Sequence, residues 1–170
     1  MTTQLDIQVA CAEPVPDEDE IRRFVTAALA DHHNNAELSI RLVSEDEMTA
    51  LNEQYRNKSG STNVLSFPAD LPPELGLALL GDIVICAAVV EREARVQNKD
   101  SLAHWAHMLI HGCLHLQGYD HIEHNDAERM EALEVELLAN LGFSNPYIDN
   151  IDDFSNHMPW SNSCYDRRAQ

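Results

Sequence analysis

One α/β (α+β) domain, with about four strands in a mixed sheet packed by about five helices, is the fold this sequence predicts. Three observations predict it. Segments whose apolar residues alternate every second position are interleaved with segments whose apolar residues recur every three or four. The 170 residues, 44% of them hydrophobic, suit a single core. No internal repeat or second core is visible, and the patterning stops after residue 147.

Leu5, Ile7, Val9 and Cys11 alternate with polar or small residues, the period of a half-buried strand that Pro14 and Pro16 end. Asp17 then caps a helix whose first turn is acidic and whose apolar face is Ile21, Phe24, Val25, Ala28 and Leu29. Leu38, Ile40 and Leu42 form the inward side of a second strand. Ser44 to Glu47 reads as a capping box, with Met48, Leu51 and Tyr55 as the stripe behind it. Val64 to Phe67 is a short strand stopped by Pro68. Leu79 to Cys86 is an apolar strand interrupted by Gly81-Asp82, and the Pro72-Pro73 loop between the two is expected to be mobile. Ala87 to Lys99 is helical. Ser101 caps the next helix, which runs through Leu116 to a stop at Gly118. Asn125 to Leu141 is the last helix, with Met130, Leu133, Leu137 and Leu141 inward and Gly142 as its stop. Residues 1–147 are therefore expected to form the domain, and 148–170 a polar, disordered or loosely docked tail.

Composition narrows the function classes. Eleven Lys+Arg against 29 Asp+Glu give a net charge of -18, which argues against a broad nucleic-acid-binding face. The charge is uneven, however: residues 56–100 hold 5 basic and 6 acidic residues, while both flanks are strongly acidic. Cys11, Cys86, Cys113 and Cys164 form no C-x-x-C pair and read as reduced thiols. Neither a signal peptide nor an apolar run long enough to span a membrane is visible, so a cytoplasmic protein is expected.

Five of the nine histidines lie between positions 104 and 121. His111 and His115 project from one helix face, one turn apart, as two ligands of a single metal do. His121 reaches that face only if the chain turns sharply, which Gly118 permits. Three neutral nitrogens with a fourth position open are the arrangement of catalytic rather than structural zinc, although nickel and copper suit the same donors. His104 and His107 extend the face, either orienting the ligands or as packing or surface residues. His111, His115, Gly118 and His121 also have metzincin spacing, but Gly112 stands where those peptidases carry their general-base glutamate.

The eleven residues His111-Gly112-Cys113-Leu114-His115-Leu116-Gln117-Gly118-Tyr119-Asp120-His121 resemble the signature H-G-x-L-H-L-x-G-Y-D-H of the YbeY family of bacterial endoribonucleases. Further blocks resemble it in the same order: Leu51-Asn52 with Tyr55 to Lys58, Thr62 to Pro68, Leu80 to Cys86, and Leu141-Gly142-Phe143 with Pro146-Tyr147. The resemblance implies an α/β fold and metal-dependent cleavage of single-stranded RNA. It also implies work on the 3' end of small-subunit rRNA and in ribosome quality control, with the small subunit and its assembly factors as partners. Carried over residue by residue, it implies His111, His115 and His121 as metal ligands and Arg56 as the functional arginine, a guanidinium suited to gripping a phosphodiester. The other reading of Arg56 is a solvated helix-end residue. Lys58 is a candidate second phosphate contact. Asp82 is read as a buried hydrogen-bonding residue or one that orients a ligand, and Cys113 as a buried thiol. Two alternatives stand beside the nuclease: a metal-binding ribosome assembly factor with little hydrolysis of its own, favoured by the lack of an obvious general base, and a metallopeptidase.

Overall fold

The structure is a computed structural model that describes residues 3–30, 35–69, 78–119 and 124–147, with backbone alone at 124–126. The chain order is β1 (Thr3–Ala10), α1 (Glu18–Ala28), β2 (Ala36–Val43), α2 (Glu45–Arg56), β3 (Val64–Pro68), β4 (Leu79–Cys86), α3 (Ala87–Val96), α4 (Ser101–Leu116) and α5 (His124–Asn140). The strands form one mixed sheet in the order β1-β2-β4-β3, in which only β3 runs antiparallel to its neighbour. The predicted α/β class, four strands and five helices are all present among the described residues.

Local chemistry explains most boundaries. Asp17 accepts from the Glu20 N–H at 2.9 Å and starts α1. Ser44 accepts from the Glu47 N–H at 3.2 Å and starts α2, but the Glu47 carboxylate turns to Arg41 at 2.7 Å, so only half of the expected capping box forms. α4 begins one residue earlier than expected, because Asp100 accepts from the Ala103 N–H, leaving the Ser101 hydroxyl to donate to Glu91. Pro68 ends β3 as its last residue, which an edge strand tolerates.

One sheet face carries Leu38, Ile40, Leu42, Val64, Ile83 and Ile85 and packs with α1, α4 and α5 into the main core. On the other face, Val43, Leu65, Val84 and Cys86 pack under Met48 and Leu51 of α2. Three expectations fail here. Val9 is 56% exposed on the edge strand β1, although Leu5, Ile7 and Cys11 of the same stripe pack against the core. Asp82 is exposed on the α2 side of the sheet and accepts from the Ser39 hydroxyl, so it is neither buried nor turned toward α4. In α2 the buried line is Met48, Asn52 and Arg56, while Tyr55 is 56% exposed and stacks edge-on against Phe67.

α4 is buried along nearly its whole length, and Gly112 sets how close it comes to the sheet. A Cβ there would lie 3.1 Å from Ile83 Cγ2 and 3.3 Å from Ser66 Oγ. The Ser66 hydroxyl donates to the Gly112 carbonyl at 3.3 Å and pins the helix to β3. Position 112 therefore faces the sheet. Gly112→Val is expected to lower stability by about 1–3 kcal/mol through overpacking, read as a fall in Tm; an unchanged Tm would show that the helix can move off the sheet at no cost.

Candidate metal centre

His104, His107, His111 and His115 lie along one side of α4 and are each no more than 6% exposed. Buried imidazoles need partners, and the structure supplies two carboxylates. His104 Nε2 lies 2.9 Å from Glu93 Oε1, and the Asn63 side-chain amide donates to the same carboxylate at 3.1 and 3.2 Å. His107 Nε2 lies 2.9 Å from Glu134 Oε1, and His111 Nδ1 lies 2.7 Å from Glu134 Oε2. The Tyr147 hydroxyl donates to Glu134 Oε1 and lies 3.2 Å from His107 Nε2.

Glu134 is fully buried. Burial alone would push its carboxyl up, but the His107 and His111 rings beside it outweigh this and hold it below the usual carboxylate range. Burial likewise outweighs Glu134 at His107 and takes that ring down to about 4, so His107 is neutral at pH 7 and gives Glu134 an N–H. An ionised Glu134 only accepts, and so His111 must donate to it from Nδ1. In the neutral ring this tautomer puts the His111 Nε2 lone pair on the side away from Glu134 and toward His115 Nε2, 3.1 Å away. Two nitrogens each 2.0–2.1 Å from one tetrahedral ion are separated by roughly 3.3 Å. The pair can share a proton, and with a small adjustment it can share a divalent cation.

The structure thus brings His111 and His115 together on Nε2. The third expected ligand, His121, lies outside the described residues, as do Asp120, the Pro72-Pro73 loop, the tail from residue 148 and the side chain of His124. Among the described residues no group of three or more His, Cys, Asp or Glu side chains is arranged to hold a metal ion. Gly118 ends the helix as expected, at φ +102°: its N–H bonds to the His115 carbonyl and the Tyr119 N–H to that of Leu114, turning the chain immediately after His115. His104 and His107 are buried and carboxylate-bound, which removes the surface reading.

Arg56 is 4% exposed, so the solvated-arginine reading fails. It ends α2 one residue after Tyr55, which packs on Phe67, while Gly112 of α4 packs on the adjacent Ser66. The end of α2 and the middle of α4 therefore meet the same short strand from opposite faces. Lys58 is half-buried just beyond, after Asn57 in the left-handed region. Cys113 is buried with its thiol pushed up to about 12 by burial, a packing residue and no nucleophile. Because position 112 faces the sheet, even a glutamate there would point away from the histidines, which counts further against a peptidase. Glu134 puts a carboxylate against His111, so the site carries negative as well as cationic groups. The sequence reading missed Glu134; the available signal was its position midway between Met130 and Leu138, on the most buried line of α5.

Comparison with known proteins agrees with this architecture. The family model described as Endoribonuclease YbeY matches residues 8–142. A protein named Endoribonuclease YbeY from Pseudomonas putida is 55% identical over 155 residues, 91% of this chain and 99% of its own length. One of the same name from Pseudomonas fluorescens is 55% identical over 148 residues, 86% and 97% of the two chains. The solution structure of a Thermotoga maritima protein superposes with a TM-score of 0.57 at 25% identity, covering 88% of this chain and 99% of that one.

The depressed His107 and His104 have a consequence for pH. The unfolded chain protonates these rings near pH 6.5 while the folded chain resists, so stability is full above that pH and is lost as pH falls toward about 4 for His107. In chelator-treated protein His107 alone is expected to cost about 2 kcal/mol between pH 7.5 and 5. Denaturant unfolding across that range checks this, with His107→Gln flattening the slope; a wild-type slope of zero would contradict it.

Proposed function

The chain belongs to the Endoribonuclease YbeY family, and on that premise we propose that it is a metal-dependent endoribonuclease that cuts single-stranded RNA during rRNA processing. The observation that carries the metal reading is the His111–His115 pair, with one Nε2 lone pair presented by a ring whose Nδ1–H is already held by Glu134. His111, His115 and His121 are the proposed ligands of one divalent ion, zinc or another transition metal such as nickel that the same three nitrogens and open position suit. A divalent ion in such a site supplies Lewis-acid polarisation of a phosphoryl oxygen and makes water more acidic.

The remaining work falls to the chain's own residues. Arg56 grips the phosphodiester in two places and balances the charge that grows on its oxygens as the bond breaks. Its burial at the end of α2, beside the strand that α4 packs on, supports this role, because a guanidinium held out of bulk water acts at a lower effective dielectric. Lys58 adds a contact to a neighbouring phosphate. The substrate in the cell is rRNA, notably the 3' end of the small-subunit species, and the partners are the small ribosomal subunit and its assembly factors. The setting is cytoplasmic; among the described residues no helix is long and apolar enough to cross a membrane. An acidic body with one cationic site gives weak nonspecific RNA affinity, so targeting depends on the ribosomal context.

A metal-binding assembly factor with little hydrolysis is the second reading. It is favoured by Glu134, the carboxylate against the histidines, having both oxygens occupied by donors and so serving poorly as a general base. Cleavage of an unstructured RNA by protein of known metal content separates the two. The nuclease reading expects chelation or His115→Ala to abolish cutting with the fold intact, and Arg56→Lys to slow it roughly 10²-fold. Equal cutting by folded, metal-free protein would overturn the mechanism, and no cutting by fully loaded protein would favour the assembly factor.

A further inference from the structure

Glu134 lies in α5, outside the helix that carries the histidine stripe, yet it holds the only side chain of that stripe bonded through Nδ1 among the hydrogen bonds described above. We propose that Glu134 is the positioning residue of the metal centre, fixing His111 in the tautomer and orientation that present Nε2, with Tyr147 latching that carboxylate from the C-terminal side. This rests on the reading of His111 as a metal ligand.

Three observations carry it. First, Glu134 is fully buried, and each of its oxygens meets an imidazole: His107 Nε2 at 2.9 Å on Oε1 and His111 Nδ1 at 2.7 Å on Oε2. Ligating histidines characteristically donate their second ring N–H to such a carboxylate, which sets the tautomer and raises the basicity of the ligating nitrogen. Second, the carboxylate is itself held. The Tyr147 hydroxyl donates to Oε1, its ring stands edge-on to His107 at 5.3 Å, and Lys99 fixes the preceding residue by donating to the Pro146 carbonyl at 3.1 Å. Third, the far side of the His111 ring meets His115, with centroids 4.6 Å apart and planes at 81°, so a rotation of His111 would lose both neighbours at once.

Glutamine is the discriminating substitution because it keeps shape and removes one acceptor. In Glu134→Gln the amide oxygen goes to the Oε1 position, where His107 and Tyr147 both donate. The amide N–H then faces His111 Nδ1, which must become an acceptor, and the ring proton moves to Nε2, where it blocks the lone pair. Tyr147→Phe touches neither proposed histidine ligand and removes the hydroxyl that meets Glu134 Oε1 and His107 Nε2.

The test is zinc affinity by competition with a chromogenic chelator, together with the nitrogen chemical shifts of His111 in the metal-free protein. Glu134→Gln is expected to weaken zinc binding about 10- to 100-fold and to move the His111 proton from Nδ1 to Nε2, and Tyr147→Phe to weaken binding several-fold with an unchanged far-UV spectrum. Unchanged affinity and tautomer in a folded Glu134→Gln would overturn the proposal. Should that variant not fold, wild-type affinity in Tyr147→Phe together with a wild-type proton on His111 Nε2 would do the same. His115→Ala separates the underlying reading: if it binds zinc like the wild type, the histidine site fails, whereas its loss beside an unaffected Glu134→Gln rejects the positioning role alone.

Discussion

A carboxylate buried in the core of a small domain is the constraint on which the rest of this structure depends. Glu134 is fully buried on α5, and an ion out of water costs several kcal/mol unless its lone pairs are met. Here three donors meet it: His107 and His111 from α4 and Tyr147 from beyond α5. Satisfying one charge thus locks the two helices and the C-terminal end of the described chain in a single arrangement. It also sets the tautomer, because the carboxylate accepts from both rings, so that neutral His111 presents Nε2 toward His115. A second carboxylate, Glu93, repeats the device at the start of α4 by joining His104 to Asn63 beside β3.

The sheet provides the other half of the positioning. α4 can lie against β3 and β4 because position 112 has no side chain, and Ser66 ties it there. The neighbouring residue on β3, Phe67, takes the end of α2 on the opposite face. A short edge strand therefore carries, on its two sides, the helix with the histidines and the helix that ends in Arg56. The acidic body of the chain is compatible with RNA chemistry on these terms, because the cations that matter are few and local.

Much of this was legible in the sequence where local rules govern. Asp17 and Ser44 cap helices because a short oxygen-bearing side chain before an acidic turn does so in any context, and β4 runs from Leu79 to Cys86 as its apolar run suggests. The i, i+4 spacing of His111 and His115 needs only a helix to bring them together. What escaped were polar residues that tertiary partners make tolerable in a core. Asn52 turns inward because its amide donates to the Gly60 carbonyl at 2.8 Å, and Arg56 follows on the same line, so apolar counting misassigned the face of α2. Glu134 escaped for the same reason, its partners lying 27 and 23 residues away.

The central claim is that His111 Nε2, oriented by Glu134, holds one divalent ion together with the other proposed imidazole ligands. X-ray absorption at the zinc edge, on protein loaded with one equivalent of zinc, tests it most directly. The account predicts nitrogen neighbours at about 2.0–2.1 Å with the outer-shell pattern of imidazole rings, and no sulfur. A scatterer at about 2.3 Å, the distance of a thiolate, or a shell of oxygens without imidazole, would contradict it.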